Sequence, residues 1–174
     1  VSVFIETNID TEFKMTAEQL EAAITPKTKA VLYSSPCNPS GSYYTREELE
    51  KIANVMAKYP DVVIISDEIY EFINYDGEHV SIAEFPQVFN QTAVINGMSK
   101  AFAMTGWRIG YSACPQWLAD ACDKLQGQVT SGANTVAQRA SIVGLETDPK
   151  DYYYMVESFE KRRNLVYELL KEVP

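Results

Sequence analysis

The sequence predicts an open α/β fold on a mostly parallel sheet, and three observations carry that expectation. Short apolar runs rich in β-branched residues alternate with amphipathic stretches that open on capping motifs. The strongest run, Val62–Ser66 (VVIIS), is of the kind a parallel sheet buries on both faces. Strand, helix, strand, crossover and strand then follow in the order that right-handed connections join.

The elements can be justified in turn. Val1–Glu6 (VSVFIE) reads as a short strand, and Thr16-Ala-Glu-Gln19 is a capping box opening a short helix that carries Leu20, Ala23 and Ile24. Thr25-Pro26 stops it. Ala30–Ser35 (AVLYSS) is too short for a helix and ends at Pro36, so a strand is expected, followed by the turn-rich Cys37-Asn-Pro-Ser-Gly41. Thr45-Arg-Glu-Glu48 is a second capping box. Leu49, Ile52, Ala53 and Met56 fall on one helical face behind it, which predicts a helix over 46–58 closed by Pro60. Val62–Ser66, Ala93–Asn96 and Arg108–Cys114 supply three further strands. Helices are expected over 115–129, 134–146 and 149–172, the last with Asp148 as N-cap and Pro149 at its first position. No repeat or linker interrupts the chain. One domain is expected, residues 1–174, and it reads as incomplete at both ends.

Composition narrows the function. The chain has 174 residues, 46% hydrophobic and 22% charged, as an ordinary globular protein does. Fifteen basic residues against 24 acidic ones give a net charge of -9, which disfavours nucleic acid and anionic membrane as partners. No apolar run approaches the roughly 20 residues of a membrane span, and the N-terminus shows no signal-peptide pattern, so a soluble, cytoplasmic protein is expected. Cys37, Cys114 and Cys122, an odd number without C-x-x-C spacing, read as buried free thiols. The single histidine, His79, falls in the polar run Tyr75-Asp-Gly-Glu-His79 and reads as a solvated loop residue. No Cys/His metal cage and no Ser/His/Asp hydrolase is indicated.

Parallel strands present their carboxyl ends on one sheet edge, where ligands bind. Three predicted strands run into polar residues there: Asn38, then Asp67 with Tyr70, then Lys100, 29 and 33 positions apart for Asn38, Asp67 and Lys100. Taken singly, Asn38-Pro39 is a turn former, Asp67-Glu68 a pair of carboxylates at a helix N-terminus, and Lys100 a surface residue. Together an amide, a carboxylate, a phenol and an amine in one crevice suggest chemistry.

Three motifs give that suggestion a family. Gly97-Met-Ser-Lys-Ala-Phe-Ala-Met-Thr-Gly-Trp-Arg-Ile-Gly110 resembles the cofactor-lysine signature of the class I and II pyridoxal-phosphate aminotransferases, with the lysine eight residues before the arginine. Asn38-Pro-Ser-Gly41 resembles the family's N-P-[ST]-G loop, and Ser66-Asp-Glu-Ile-Tyr70 its strand-end D-E-x-Y. All three occur in family order, and the wording Ala103-Met-Thr-Gly-Trp107 is most similar to the prokaryotic aspartate aminotransferase branch.

The resemblance covers nearly the whole chain and implies the central part of a three-layer α/β/α large domain, with an N-terminal segment and a small C-terminal domain outside it. It also implies pyridoxal 5'-phosphate as cofactor. Lys100 would form a Schiff base with the cofactor aldehyde and carry the substrate proton, and Asp67 would face the pyridine nitrogen. Tyr70 and Asn38 would bond the ring oxygen, while Arg108, helped by Ser99, would hold the phosphate. Amino acids, aspartate foremost, and 2-oxo acids such as 2-oxoglutarate would be the substrates of a homodimer. One departure from the pattern stands out: many relatives carry a phosphate-binding serine where this chain has Gly97.

Two other functions share parts of this reading. An aminotransferase-like sensing domain of a transcription regulator would show the same motifs, as would a pyridoxal-phosphate lyase or decarboxylase. A nicotinamide-dependent dehydrogenase would need a G-x-G-x-x-G turn, and the sequence has none.

Overall fold

Four strands form one sheet in the computed structural model, which describes residues 1–77 and 79–173. They are β1 (Ala30–Ser34), β2 (Val63–Asp67), β3 (Thr92–Gly97) and β4 (Gly110–Ala113), hydrogen-bonded in that order. β1, β2 and β3 run parallel, whereas β4 returns antiparallel to β3. The helices are α1 (Ala17–Ala23), α2 (Arg46–Met56), α3 (Gln116–Val129), α4 (Thr135–Glu146) and α5 (Tyr153–Leu170). The architecture is the expected α/β one with a mostly parallel sheet.

Local chemistry sets the helix starts. Thr16 accepts from the Gln19 amide while the Gln19 side chain accepts from the Thr16 amide, and Thr45 and Glu48 repeat the exchange at α2. Behind these caps the apolar stripe of α2 (Leu49, Ile52, Ala53, Met56) packs with Leu20 of α1 against Tyr33 and Ile64 of the sheet. Each such fully buried aliphatic side chain contributes about 1.5–3 kcal/mol. Buried Gln91 seals the far end: its Nε2 donates to the carbonyls of Met56 and Val62, both at 3.2 Å, giving the last turn of α2 a partner it lacks internally.

The opposite sheet face is covered less completely within this chain, with Leu32 72% and Ile95 37% exposed. Residues 1–6 form no strand. The Glu6 carbonyl accepts from the Gln19 side chain of α1 at 3.2 Å, Ile5 packs against the core, and a 3-10 turn over Ile9–Thr11 follows. Asp148 and Pro149 cap a separate 3-10 turn, Pro149–Asp151, and α5 begins only at Tyr153, so the long helix starts later than its capping residues suggest. The cysteines are free but not buried: Cys122 is exposed, and Cys37 and Cys114 are intermediate. Among the described residues no helix is long and apolar enough to cross a membrane.

Candidate active site

The carboxyl ends of β1, β2 and β3 lie on one edge, as parallel pairing requires, and the polar residues of the three motifs follow from them. Asp67 is the last residue of β2, which is flanked by β1 and β3. Its carbonyl accepts from the Ser35 amide at 3.0 Å, and the next amide, of Glu68, donates to the Ile95 carbonyl at 2.9 Å. Its side-chain Oδ1 accepts from the Ile69 amide at 3.2 Å. The backbone then turns, with Glu71 and Ile73 amides donating back to Glu68 and Tyr70, and no α-helix starts there. Asp67 and Glu68 are therefore strand-end residues rather than helix N-terminal ones.

That turn delivers Tyr70 to the Asn38 loop. The Asn38 Nδ2 donates to the Tyr70 hydroxyl at 3.3 Å, and the Lys100 Nζ stands 5.2 Å from the centre of the Tyr70 ring. Groups from three strand ends thus meet, with the phenol of Tyr70 between the Asn38 amide and the Lys100 amine. Lys100 is half-buried in the turn after β3, and Asn38 is exposed.

The segment between β3 and β4 leaves the sheet at Gly97 and re-enters at Gly110, which pair directly. A Cβ on Gly97 would lie 2.9 Å from the Gly110 Cα and 3.0 Å from the Ile109 carbonyl oxygen. No side chain fits at 97, which accounts for the missing serine. Within the segment Arg108 adopts a left-handed conformation (φ 50°), and its Nη1 donates to the Thr105 carbonyl at 2.8 Å. Arg108 is exposed, and Ser99 is half-buried in the turn that carries Lys100. Among the described residues no hydrogen bond links Ser99 or Arg108 to the Asn38, Tyr70 and Lys100 group.

Sequence reasoning missed a second cluster, on the other side of β2. Glu68 is 2% exposed, and its Oε1 accepts from the hydroxyls of Ser66 at 2.8 Å and Ser81 at 2.7 Å. Its Oε2 lies 2.8 Å from the His79 Nε2, and that side chain is only 13% exposed. His79 is a half-buried partner of Glu68, not a solvated loop residue; its polar neighbourhood in sequence concealed this because the partner lies eleven positions away. Glu78, in the same run, lies outside the described residues. Glu71 joins the cluster, bringing three potential ligand atoms within 4.8 Å, and its Oε1 accepts from the Asn96 amide at 2.7 Å. Hydrogen bonds account for these carboxylates without a cation. Burial holds the Glu71 carboxyl above its ordinary value, and likewise the phenol of Tyr33.

Comparison with known proteins gives the family. The family model for aminotransferases of class I and II matches residues 2–173. The chain is 44% identical over 176 residues to the aspartate aminotransferase of Geobacillus stearothermophilus, covering 100% of itself and 44% of that protein. The solved aspartate aminotransferase of Rhizobium meliloti superposes with a TM-score of 0.94 at 42% identity, over 97% of this chain and 43% of the other. The aromatic aminotransferase of Pyrococcus horikoshii does so with a TM-score of 0.91 at 37% identity, over 98% and 46%. The chain spans less than half the length of these relatives. Matched along almost all of its own length, it belongs to the class I and II aminotransferases.

Proposed function

We propose that this chain is the central part of the cofactor-binding large domain of a pyridoxal-phosphate aminotransferase. The observation that carries the reading is the meeting of Lys100, Tyr70 and Asn38 beside Asp67 on the sheet edge.

The donor set fits an aldehyde-bearing pyridine phosphate. Lys100 supplies an amine for the aldehyde carbon, and Asp67, fixed at the end of a central strand, supplies the carboxylate that a protonated ring nitrogen demands. Tyr70 and Asn38 present a hydroxyl and an amide for the ring oxygen. Arg108, with its planar fork, and the Ser99 hydroxyl suit the phosphate, and at Gly97 only backbone is available to it. When bound, the cofactor supplies an electron sink for the bonds at a substrate α-carbon.

The chain's own groups do the rest. Lys100 would hold the cofactor and carry the proton at the substrate α-carbon. Asp67 would face the ring nitrogen and favour its protonated form. Tyr70 and Asn38 hold the reacting end in register. An amino acid, with aspartate favoured, gives its amino group and leaves as a 2-oxo acid, and a second oxo acid such as 2-oxoglutarate collects the group. The likeness to enzymes named aspartate aminotransferases supports that donor. The assembled protein is a cytoplasmic homodimer in this reading.

Borohydride reduction after incubation with pyridoxal phosphate, followed by peptide mapping, tests the assignment on the longest obtainable form of the protein. One adduct, on Lys100, is expected. Modification of other lysines with Lys100 untouched overturns it. A panel of amino acids scored for conversion of the bound cofactor to its aminated form then ranks the donors.

A further inference from the structure

The peptide after Asp67 carries the last ladder bonds of β2, from the Ser35 amide and to the Ile95 carbonyl, and the Ile69 amide donates to Oδ1. A carboxylate that must meet one ring nitrogen tolerates an error of only about 0.5 Å, and a further restraint on it is found one residue on. Side chains alternate along β2, so Ser66 and Glu68 point to the face opposite Asp67, and both are buried, at 0% and 2% exposure.

On that face the Glu68 carboxylate is held by directional bonds. Ser66 donates from within the strand, while His79 and Ser81 reach it from a segment 11 and 13 positions away. Ser81 is itself fixed, because its hydroxyl also accepts from the Ala83 amide and caps the 3-10 turn Ile82–Glu84. An apolar side chain at 68 would bury equally well but would add no directional bond to the two backbone bonds that hold this peptide.

Resting on the function proposed above, we infer that buried Glu68 and its half-buried partner His79, with Ser66 and Ser81, form a positioning device for Asp67. It clamps the peptide joining residues 67 and 68 from behind and so fixes where the Asp67 carboxylate points. Glu68 touches neither substrate nor cofactor and acts only through its neighbour.

The test uses the full-length protein loaded with pyridoxal phosphate, and reads the pH titration of the lysine-bound cofactor's absorbance together with kcat and KM. Asp67→Asn sets the direction of the shift caused by a weakened ring contact. Glu68→Gln and Glu68→Ala are expected to move the midpoint the same way by a smaller amount, with kcat down about tenfold and KM within about twofold. Variants that melt earlier but titrate and turn over as the unaltered protein does would show a merely structural role and overturn the inference. Should Glu68→Ala fail to fold, Ser81→Ala and His79→Asn decide, with the same shift expected and its absence counting against the clamp. Failure of the unaltered protein to take up the cofactor overturns the functional reading and this inference with it. Normal uptake with silent variants overturns the inference alone.

Discussion

The amide of Asn38 donates to the hydroxyl of Tyr70 at 3.3 Å, tying the loop after β1 to the turn after β2. Because the amide donates, the phenol keeps its own proton available for a further partner. The two residues should therefore act as a unit on the cofactor. Asn38→Ala and Tyr70→Phe are expected each to weaken cofactor binding, and a double-mutant cycle should show a coupling of about 0.5–1.5 kcal/mol. Strict additivity would mean that each contacts the cofactor independently.

Lys100 and Arg108 should fail in different ways. Lys100→Ala is expected to leave a weakly and non-covalently bound cofactor and no turnover, since it removes the nucleophile and the proton carrier together. Arg108→Ala removes a charge-assisted contact worth about 1.5–3 kcal/mol, so the cofactor should bind roughly 10- to 100-fold more weakly while turnover at saturating cofactor persists. Equilibrium dialysis and steady-state rates separate the two.

Gly97→Ala should open the β3–β4 pair. The added Cβ meets backbone at 2.9 and 3.0 Å, and backbone cannot swing aside as a side chain does. A loss of about 1–3 kcal/mol is expected in denaturant unfolding. Gly97→Ser should be no milder, even though serine is the residue many aminotransferases place there.

Glu71 gives a pH dependence with a definite sign. Burial raises its carboxyl above the ordinary 4.5, so the folded state favours the protonated form. Its contribution is fully present below 4.5 and is lost as pH rises through the raised folded-state value. Glu71→Gln keeps an acceptor for Asn96 and removes the charge. The variant should be more stable than the unaltered protein at pH 7, by less than about 1 kcal/mol after solvent screening, with the gain vanishing below pH 4.5. Melting curves across that range check it.

What could be read from the residues divides along physical lines. Both capping boxes are local, complete within four residues, and appear where Thr16 and Thr45 place them. The β2 run and the three motif loops are likewise local, so the sheet edge and its polar residues could be anticipated. The strand expected at 1–6 fails because pairing is a long-range property, and apolar alternation cannot supply a partner. The Glu68 cluster was hidden for the same reason, its bonds spanning 2, 11 and 13 positions, and a polar run around His79 resembles any exposed turn. The 3-10 start before α5 shows a cap serving one turn without committing the chain to a helix.

The pairing of Gly97 with Gly110 acts as a cinch. The twelve residues between them depart from and return to a single point of the sheet, and inside this noose Ala103 bonds back to Lys100 and Met104 to Met98. The reach between the lysine amine and the arginine guanidinium is thereby set by the contour of the noose and not by the register of any strand. Adding or deleting one residue between Lys100 and Arg108 would change that reach while leaving the Gly97–Gly110 pair in place, so the length of this noose and not the strand register spaces the two cations.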